Sequence, residues 1–203
     1  MPSYKLTYFP GRGRAEIIRF VLAAGNVDYE DVRIAGDKWK EFKEKTPEGK
    51  LPIFESDGVV LSQSQAIAAY AAELGGLRGE TPIDRAKAHM IVEMVTEMFE
   101  VIIKNHFEKD EAKKAQKEKE IKEKLFPAFL TNAEKFLVAN GGEYFAGSKL
   151  TYADVALFNF ADNLRLAGKE PFGNTPKLAA LIAKVGELPG VKDWIAKRPE
   201  SQF

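Results

Sequence analysis

The residues best suited to chemistry stand where predicted strands end and predicted helices begin. Tyr8 closes an alternating stretch that predicts a strand, and a loop with Gly11 and Gly13 leads into a helix that begins near Arg14. Two closely spaced glycines in such a loop can cradle a phosphate. Here Glu16 occupies the third glycine position of a dinucleotide fingerprint, and its carboxylate would oppose a pyrophosphate. We therefore exclude a nucleotide ligand, and the phenol of Tyr8 becomes the candidate for chemistry.

Two further segments meet Tyr8 if the strands of this region pair into one sheet. Leu51-Pro52 opens a later strand, where a proline is a candidate cis peptide. Gln63-Ser64 begins a helix, whose unpaired N–H groups and dipole favour an anion. Together these segments predict an extended slot for a small peptide-like ligand. Its carboxylate would lie at Ser64, its backbone would pair with the strand edge at Leu51, and the Tyr8 hydroxyl would face its middle.

The elements that must position these residues follow one another in the order β-α-β-α-β-β-α over about the first 75 residues. The dipeptide Asp57-Gly58 predicts the hairpin between the last two strands. We predict an α/β domain at 1–75, a glycine-rich linker at 76–81 and an all-helical domain at 82–203. The helical domain includes a long helix over 111–139 that is bent or restarted at Pro127, and a capping box made by Thr151 and Asp154.

Composition removes several classes of function. The 203 residues carry 30 basic and 30 acidic side chains, so no basic face for nucleic acid is expected. The absence of cysteine excludes a protein thiol as nucleophile, and the two histidines, His89 and His106, lack ligand-spaced partners, so no metal is expected. No apolar run approaches the roughly 20 residues that span a bilayer. We expect a cytoplasmic protein that binds neither nucleic acid nor membrane.

Several motifs together form a pattern that a known family shares. They are YKLTYF at 4–9, GRGRAE at 11–16, Trp39 with Lys43, GKLP at 49–52, SQSQAI at 62–67 and LTYAD at 150–154. The chain resembles the cytosolic glutathione transferases, and within them the sigma class, over nearly its full length. The resemblance implies a thioredoxin-like first domain and an all-helical second domain that lines a hydrophobic substrate site. It also implies glutathione as co-substrate.

In that family a tyrosine at the position of Tyr8 donates a hydrogen bond to the glutathione sulfur. A thiol with a pKa of about 8.5 is mostly protonated at neutral pH, and a donor to the thiolate stabilises the charged form. Lowering this pKa by about two units requires about 2.7 kcal/mol, which a charge-assisted hydrogen bond and nearby positive charge can supply. The resemblance therefore makes Tyr8 and Arg14 the catalytic pair, with Arg14 adding charge near the sulfur.

The resemblance also assigns the residues that hold the two substrates. Glutathione would contact Tyr8, Arg14, Trp39, Lys43, Lys50, Leu51, Pro52, Gln63 and Ser64. An acid of the partner subunit would reach the γ-glutamyl amine, which implies a homodimer, and Glu97 falls at that position where an aspartate is more usual. The second, hydrophobic substrate would contact Phe9, Phe99, Phe160 and Phe203.

The predicted function is activation of glutathione as a thiolate and its conjugation to small hydrophobic electrophiles. Two alternatives stay open from the same resemblance. One is isomerisation of a prostaglandin endoperoxide, in which glutathione acts without net consumption. The other is a crystallin-like or binding protein that keeps the glutathione site. Tyr8, Arg14, Gln63 and Ser64 are all present, which argues against loss of the site.

Overall fold

The computed structural model describes residues 4–166 and 172–201. By its internal contacts the chain divides into two compact units. The first unit is Met1–Arg78 together with Gly186–Phe203, and the second unit is Gly79–Val185.

The first unit is built on a four-stranded mixed sheet. Its strands are β1 (Lys5–Tyr8), β2 (Glu30–Arg33), β3 (Ile53–Ser56) and β4 (Val59–Ser62), and its helices are α1 (Glu16–Ala24), α2 (Trp39–Phe42) and α3 (Ser64–Leu74). The strands lie in the order β2-β1-β3-β4. β1 is parallel to β2, as the crossover through α1 requires, and antiparallel to β3. The predicted order β-α-β-α-β-β-α is confirmed.

Two local features of this sheet agree with the sequence. Asp57 and Gly58 both have positive φ, 49° and 83°, as a tight turn between antiparallel β3 and β4 demands. The peptide bond between Leu51 and Pro52 is cis, immediately before β3. β3 lies between β1 and β4, so the segment from 49 to 64 passes through the sheet to its β4 edge and then enters α3.

Helix α1 forms the centre of the first unit because every residue from Glu16 to Leu22 is buried. It packs against α3, and the two helices end at close range: a Cβ added to Gly25 would lie 2.6 Å from the Cα of Gly75. Only glycine at this crossing leaves room for the two backbones.

A short helix from the far end of the chain belongs to this unit. Helix α9 (Pro189–Lys197, numbered in chain order) packs against α1, and a Cβ on Gly190 would lie 2.0 Å from the carbonyl oxygen of Ala23. Its residues Val191 and Trp194 are buried. The sequence predicts this helix as part of the helical domain at 82–203, whereas its contacts place it in the first unit.

The regular elements of the second unit's described residues are all helices. Its helices are α4 (Pro82–His106), α5 (Glu111–Glu120), α6 (Phe126–Ala139), α7 (Tyr152–Leu166) and α8 (Pro176–Gly186). A π-helical segment, Ile121–Leu125, joins α5 to α6 immediately before Pro127. The chain therefore stays helical over the predicted range 111–139, and its irregularity lies just ahead of the proline, which has no N–H to donate.

A buried carboxylate closes the start of α7. Asp154 accepts hydrogen bonds from the N–H groups of Thr151 and Phe145, at 2.6 Å and 2.9 Å, and from the Thr151 hydroxyl at 3.0 Å. Its side chain is fully buried, and burial raises the pKa of Asp154 to about 6, although these hydrogen bonds act in the opposite direction. The predicted pairing of Thr151 with Asp154 is confirmed.

Within residues 4–166 and 172–201, no helix has both the length and the apolar character of a membrane span. Over the same residues, histidines and carboxylates form no group that could hold a metal ion.

Candidate functional site

The hydroxyl of Tyr8 is enclosed by the loop that follows β1. Leu6 and Thr7 are buried and anchor the strand, while Tyr8 at its end is half-buried. The backbone N–H of Arg14 donates a hydrogen bond to the Tyr8 oxygen at 3.2 Å. Gly13 has a φ of 41°, and a Cβ added to it would lie 2.6 Å from the same oxygen. The loop therefore holds the phenol closely, and its second glycine is required for that approach.

A groove of about 530 Å³ runs from this loop across the end of the sheet, where β1 and β4 stop and β3 begins, to the start of α3. Most of the predicted glutathione residues line it together with the predicted substrate residue Phe9. These are Phe9, Arg14, Trp39, Lys50, Leu51, Pro52, Gln63 and Ser64. The structure thus brings together side chains from the β1 loop, α2, the β3 approach and α3, which are separated by up to 55 positions in the sequence.

Aromatic rings connect Tyr8 to the wall of the groove. The ring of Phe9 makes edge-to-face contacts with Tyr8 and Trp39, with centroids 5.5 Å and 5.2 Å apart. Such contacts hold three rings in one fixed arrangement. Phe9 therefore supports both a predicted catalytic residue and a predicted binding residue.

Basic side chains surround the Gly49 turn on one side of the groove. Lys43 extends over this turn, because a Cβ on Gly49 would lie 3.0 Å from Cε of Lys43. Lys43 and Lys50 are both exposed, and Arg14 is exposed at the other end of the groove. A ligand carboxylate would meet favourable charge here at little desolvation cost.

The start of α3 offers backbone donors to an anion. Gln63 precedes the helix with a φ of 71°, and no side-chain hydrogen bond caps the helix at this residue. Ser64, the first helical residue, is 8% exposed. The N–H groups of the first turn, together with the helix dipole, can therefore receive a carboxylate from the groove.

Sequence reasoning missed an acidic residue of the same groove. Glu48 lines it, and its Oε2 accepts a hydrogen bond from the Gln63 side-chain amide at 2.7 Å. The sequence predicts only a turn in the segment around Gly49. One signal could have identified Glu48: it is a carboxylate next to a glycine turn, in the segment before β3 that carries other candidate residues.

Sequence reasoning also missed the role of Glu16, which served only to exclude a phosphate. Its carboxylate is fully buried and accepts hydrogen bonds from Trp194 Nε1 at 2.9 Å, Arg198 at 3.0 Å and Arg19 at 3.0 Å. Arg19 also donates to the carbonyl of Gly11 in the Tyr8 loop, at 2.7 Å. The charge that opposes a nucleotide is thus part of the framework behind this loop.

The remaining predicted residues lie elsewhere. Glu97 is exposed and Phe99 is half-buried, both on α4 of the second unit. Phe160 is 1% exposed and packs against Phe126 and Phe129, with centroids 6.1 Å and 5.3 Å away. The structure therefore does not support Phe160 as a substrate-contacting residue, because the helix core already covers its ring. Phe203 lies outside the described residues.

Comparison with known proteins decides the family. The model of the glutathione S-transferase N-terminal domain matches residues 4–73, and the model of the glutathione S-transferase C-terminal domain matches residues 96–198. The chain belongs to the glutathione S-transferase family. The predictions of this family, of the fold class and of a transferase are confirmed.

Relatives of this transferase span its full length. It is 37% identical to hematopoietic prostaglandin D synthase of Gallus gallus over 208 residues, which cover 99% of each chain. A Nu-class enzyme of the family from Haemonchus contortus superimposes with a TM-score of 0.91 at 33% identity, covering all of both chains. A structure described as monomeric, Na-GST-3 of the hookworm Necator americanus, gives 0.84 at 34% identity, covering 99% of this chain and 100% of that one.

Proposed function

We propose that this transferase binds glutathione in the groove of its first unit and activates the thiol as a thiolate at Tyr8. The observation that carries the proposal is the hydrogen bond from the Arg14 backbone N–H to the Tyr8 oxygen. A phenol has one proton and can also accept. Because its oxygen already accepts from the loop, its proton can be donated to a ligand sulfur, and the accepted bond strengthens that donation.

The charges of the groove fit a tripeptide that carries a carboxylate at each end. The glycyl carboxylate is proposed to meet Trp39, Lys43 and Lys50, and the γ-glutamyl carboxylate the start of α3 at Gln63 and Ser64. The cysteinyl backbone would pair with Leu51, next to the cis bond to Pro52. This orientation directs the thiol toward the Tyr8 end of the groove.

The proposed reaction needs no group beyond the two substrates. The thiol proton passes to solvent, and the sulfur of the thiolate forms a bond to an electrophilic carbon. A leaving group then departs with its electron pair, or the resulting carbanion takes up a proton. Phe9 is proposed to contact the hydrophobic electrophile, and the same role for Phe99 stays a prediction. Detoxification of such compounds is the biological role that we propose.

The sigma class, a homodimer and a cytoplasmic location complete the proposal. The 37% identity to a hematopoietic prostaglandin D synthase supports the class. Glutathione is a major cytosolic thiol, which supports the location. A homodimer would bring Glu97 of the partner subunit to the γ-glutamyl amine. Sedimentation of the wild type at micromolar concentration tests it: a single monomeric species would remove both the dimer and the role of Glu97.

The ultraviolet absorbance of bound glutathione thiolate, measured against pH, tests the mechanism. We expect a thiol pKa about two units below the free value in the wild type, and a higher one in Tyr8→Phe. Tyr4→Phe is the matched control, because Tyr4 precedes β1 at the opposite end from Tyr8 and stacks on Phe54. A wild-type thiol pKa equal to that of free glutathione would falsify the proposed activation.

The identity to a prostaglandin D synthase favours one second candidate, isomerisation of a prostaglandin endoperoxide. The same thiolate would attack one endoperoxide oxygen and break the O–O bond, and the other oxygen would take up a proton as a hydroxyl. Loss of the proton on the carbon that bears the S–O group would then form a ketone and expel the thiolate, so glutathione is not consumed. Assays with an endoperoxide and with a conjugation substrate, run side by side, separate the two activities. Retention on immobilised glutathione with neither activity would instead indicate a binding or crystallin-like protein.

A further inference from the structure

A cluster of buried charges lies next to the loop that carries Tyr8. It consists of Glu16, Arg19 and Asp31, and we call it the Arg19 cluster. Arg19 donates from Nη1 to Glu16 Oε2 and from Nε to Asp31 Oδ1, both at 3.0 Å. The side chains of Arg19 and Glu16 are fully buried, while Asp31 is 19% exposed.

The cluster joins three segments that surround Tyr8. Glu16 and Arg19 belong to α1, and Asp31 belongs to β2, where it pairs with Leu6 on the strand that ends at Tyr8. The third segment is the Tyr8 loop, since Arg19 Nη1 also donates to the Gly11 carbonyl at 2.7 Å. One guanidinium therefore fixes the helix, the neighbouring strand and the loop relative to one another.

The guanidinium also lies near the ring of Tyr8 itself. Its Cζ atom is 6.0 Å from the Tyr8 ring centroid and 5.9 Å from that of Trp194. Its Nη2 is buried and has no hydrogen-bond partner within the described residues. A guanidinium close to two aromatic rings gains from their negative faces.

Stability alone is a weak reason for such a cluster. Burying charges carries a desolvation cost that their attraction often fails to exceed, and apolar replacements of similar volume are frequently neutral. What the guanidinium adds is direction, because its donors form a rigid planar fork. Here the fork orients the Gly11 carbonyl of the loop and the phenol ring of Tyr8.

We propose that Arg19 is the positioning residue of Tyr8. By holding the Gly11 carbonyl and supporting the phenol ring, it keeps the Tyr8 oxygen in reach of the Arg14 N–H and of the glutathione sulfur. This inference rests on the proposed function, in which Tyr8 donates to that sulfur. Arg19, which lies outside the groove, then contributes to formation of the thiolate but not to the binding of glutathione.

Arg19→Lys tests the proposal, because lysine keeps the positive charge but loses the planar fork. An ammonium cannot reproduce the three directed contacts, so the loop and the ring lose their common support. We expect the thiol pKa of bound glutathione to rise by about one unit, a tenfold loss of thiolate at a pH below it. At about pH 5.5, where bound glutathione stays a thiol in both proteins, the Kd should change less than about twofold, because the groove residues are untouched.

Arg33→Lys is the matched control. Arg33 donates to Asp31 Oδ2 at 3.0 Å, so it binds the same carboxylate, whereas the contacts with the Gly11 carbonyl and with the Tyr8 ring are those of Arg19. In Arg33→Lys the thiol pKa of bound glutathione should equal that in the wild type. Equal shifts in both variants, or no shift in a folded Arg19→Lys protein, would overturn the proposal.

A double-mutant cycle separates positioning from a general structural effect. In the Tyr8→Phe background, Arg19→Lys should produce no further rise of the thiol pKa, because the hydroxyl it positions is gone. An additive rise overturns the proposal. If Arg19→Lys does not fold, Asp31→Asn takes its place, since it weakens one contact of Arg19 and should shift the thiol pKa in the same direction. A wild type without a lowered thiol pKa contradicts the proposed function itself, which distinguishes the two failures.

Discussion

A Cβ atom at Gly13 would lie 2.6 Å from the hydroxyl oxygen of Tyr8, closer than any ordinary contact between these atoms. The glycine and the phenol therefore occupy one small space, in which the Arg14 N–H also reaches the phenol oxygen. The loop glycines suggest a phosphate cradle in the sequence. In the structure, one of them instead makes room for the group that is proposed to activate the thiol.

Gly13→Ala should displace Tyr8 and lower kcat/KM for glutathione conjugation by about a hundredfold, the scale on which a misdirected catalytic donor acts. Steady-state kinetics with a conjugation substrate measure this. Gly58→Ala is the control, because Gly58 also has a positive φ but nothing lies within 4 Å of its Cβ position. Both variants should lose about 1 kcal/mol of stability. Equal loss of activity in both would show that backbone strain, rather than contact with Tyr8, is responsible.

Lys43→Gln should raise the Kd of glutathione about threefold, because it removes a cation beside the Gly49 turn. The effect should fade as salt increases, since the charge is exposed and screened. Calorimetric titration at two ionic strengths measures both quantities. Lys45→Gln is the control, because Lys45 is an exposed lysine of the same short helix, Lys43–Lys45, whereas Lys43 is the lysine that lies against Gly49; this variant should bind as the wild type does. A Kd that is insensitive to Lys43 at low salt contradicts the proposed place of the glycyl carboxylate.

Asp154 should make the unfolding free energy depend on pH. Its pKa is about 6 in the folded protein, against an ordinary value of 3.8, so between these values the folded state retains a proton that the unfolded state has lost. Stability from this group is therefore present below pH ~4 and is lost as pH rises through ~6, by about 3 kcal/mol. Denaturant unfolding of wild type and Asp154→Asn from pH 4 to 7 measures it. A difference between the two proteins that stays constant, or that grows in favour of the wild type, contradicts the assignment.

Trp194→Phe should destabilise the first unit by about 2 kcal/mol, because it removes an N–H donor from the buried carboxylate of Glu16. The free energy of unfolding in denaturant measures the loss. Ile195→Ala on the same helix is the control, as Ile195 is 37% exposed and should change stability by less than about 1 kcal/mol. If the two substitutions are equally costly, helix contacts outweigh the hydrogen bond.

Local patterns in the sequence predicted much of the site. The end of β1 at Tyr8, the Asp57-Gly58 turn, the cis bond before Pro52 and the start of α3 at Ser64 each depend on a few adjacent residues. Such features follow from backbone preferences that neighbouring residues determine. Their common groove then followed from one assumption, that the strands form a single sheet.

The features that could not be predicted depend on residues far apart in the chain. Glu16 finds Trp194 and Arg198, which are 178 and 182 positions away. Phe160 has the spacing of a helix face, but only the packed helices show that Phe126 and Phe129 cover it. Helical periodicity indicates that a residue is buried somewhere, and it does not identify the neighbour.

The return of α9 to α1 has a consequence for how the chain is made. During synthesis the ribosome releases α1 long before α9, with the whole second unit between them. Until residues 189–198 emerge, Glu16 lacks the donors of Trp194 and Arg198, and Arg19 is its remaining partner among those described above. The contacts of the first unit are therefore completed only after the whole second unit has been translated.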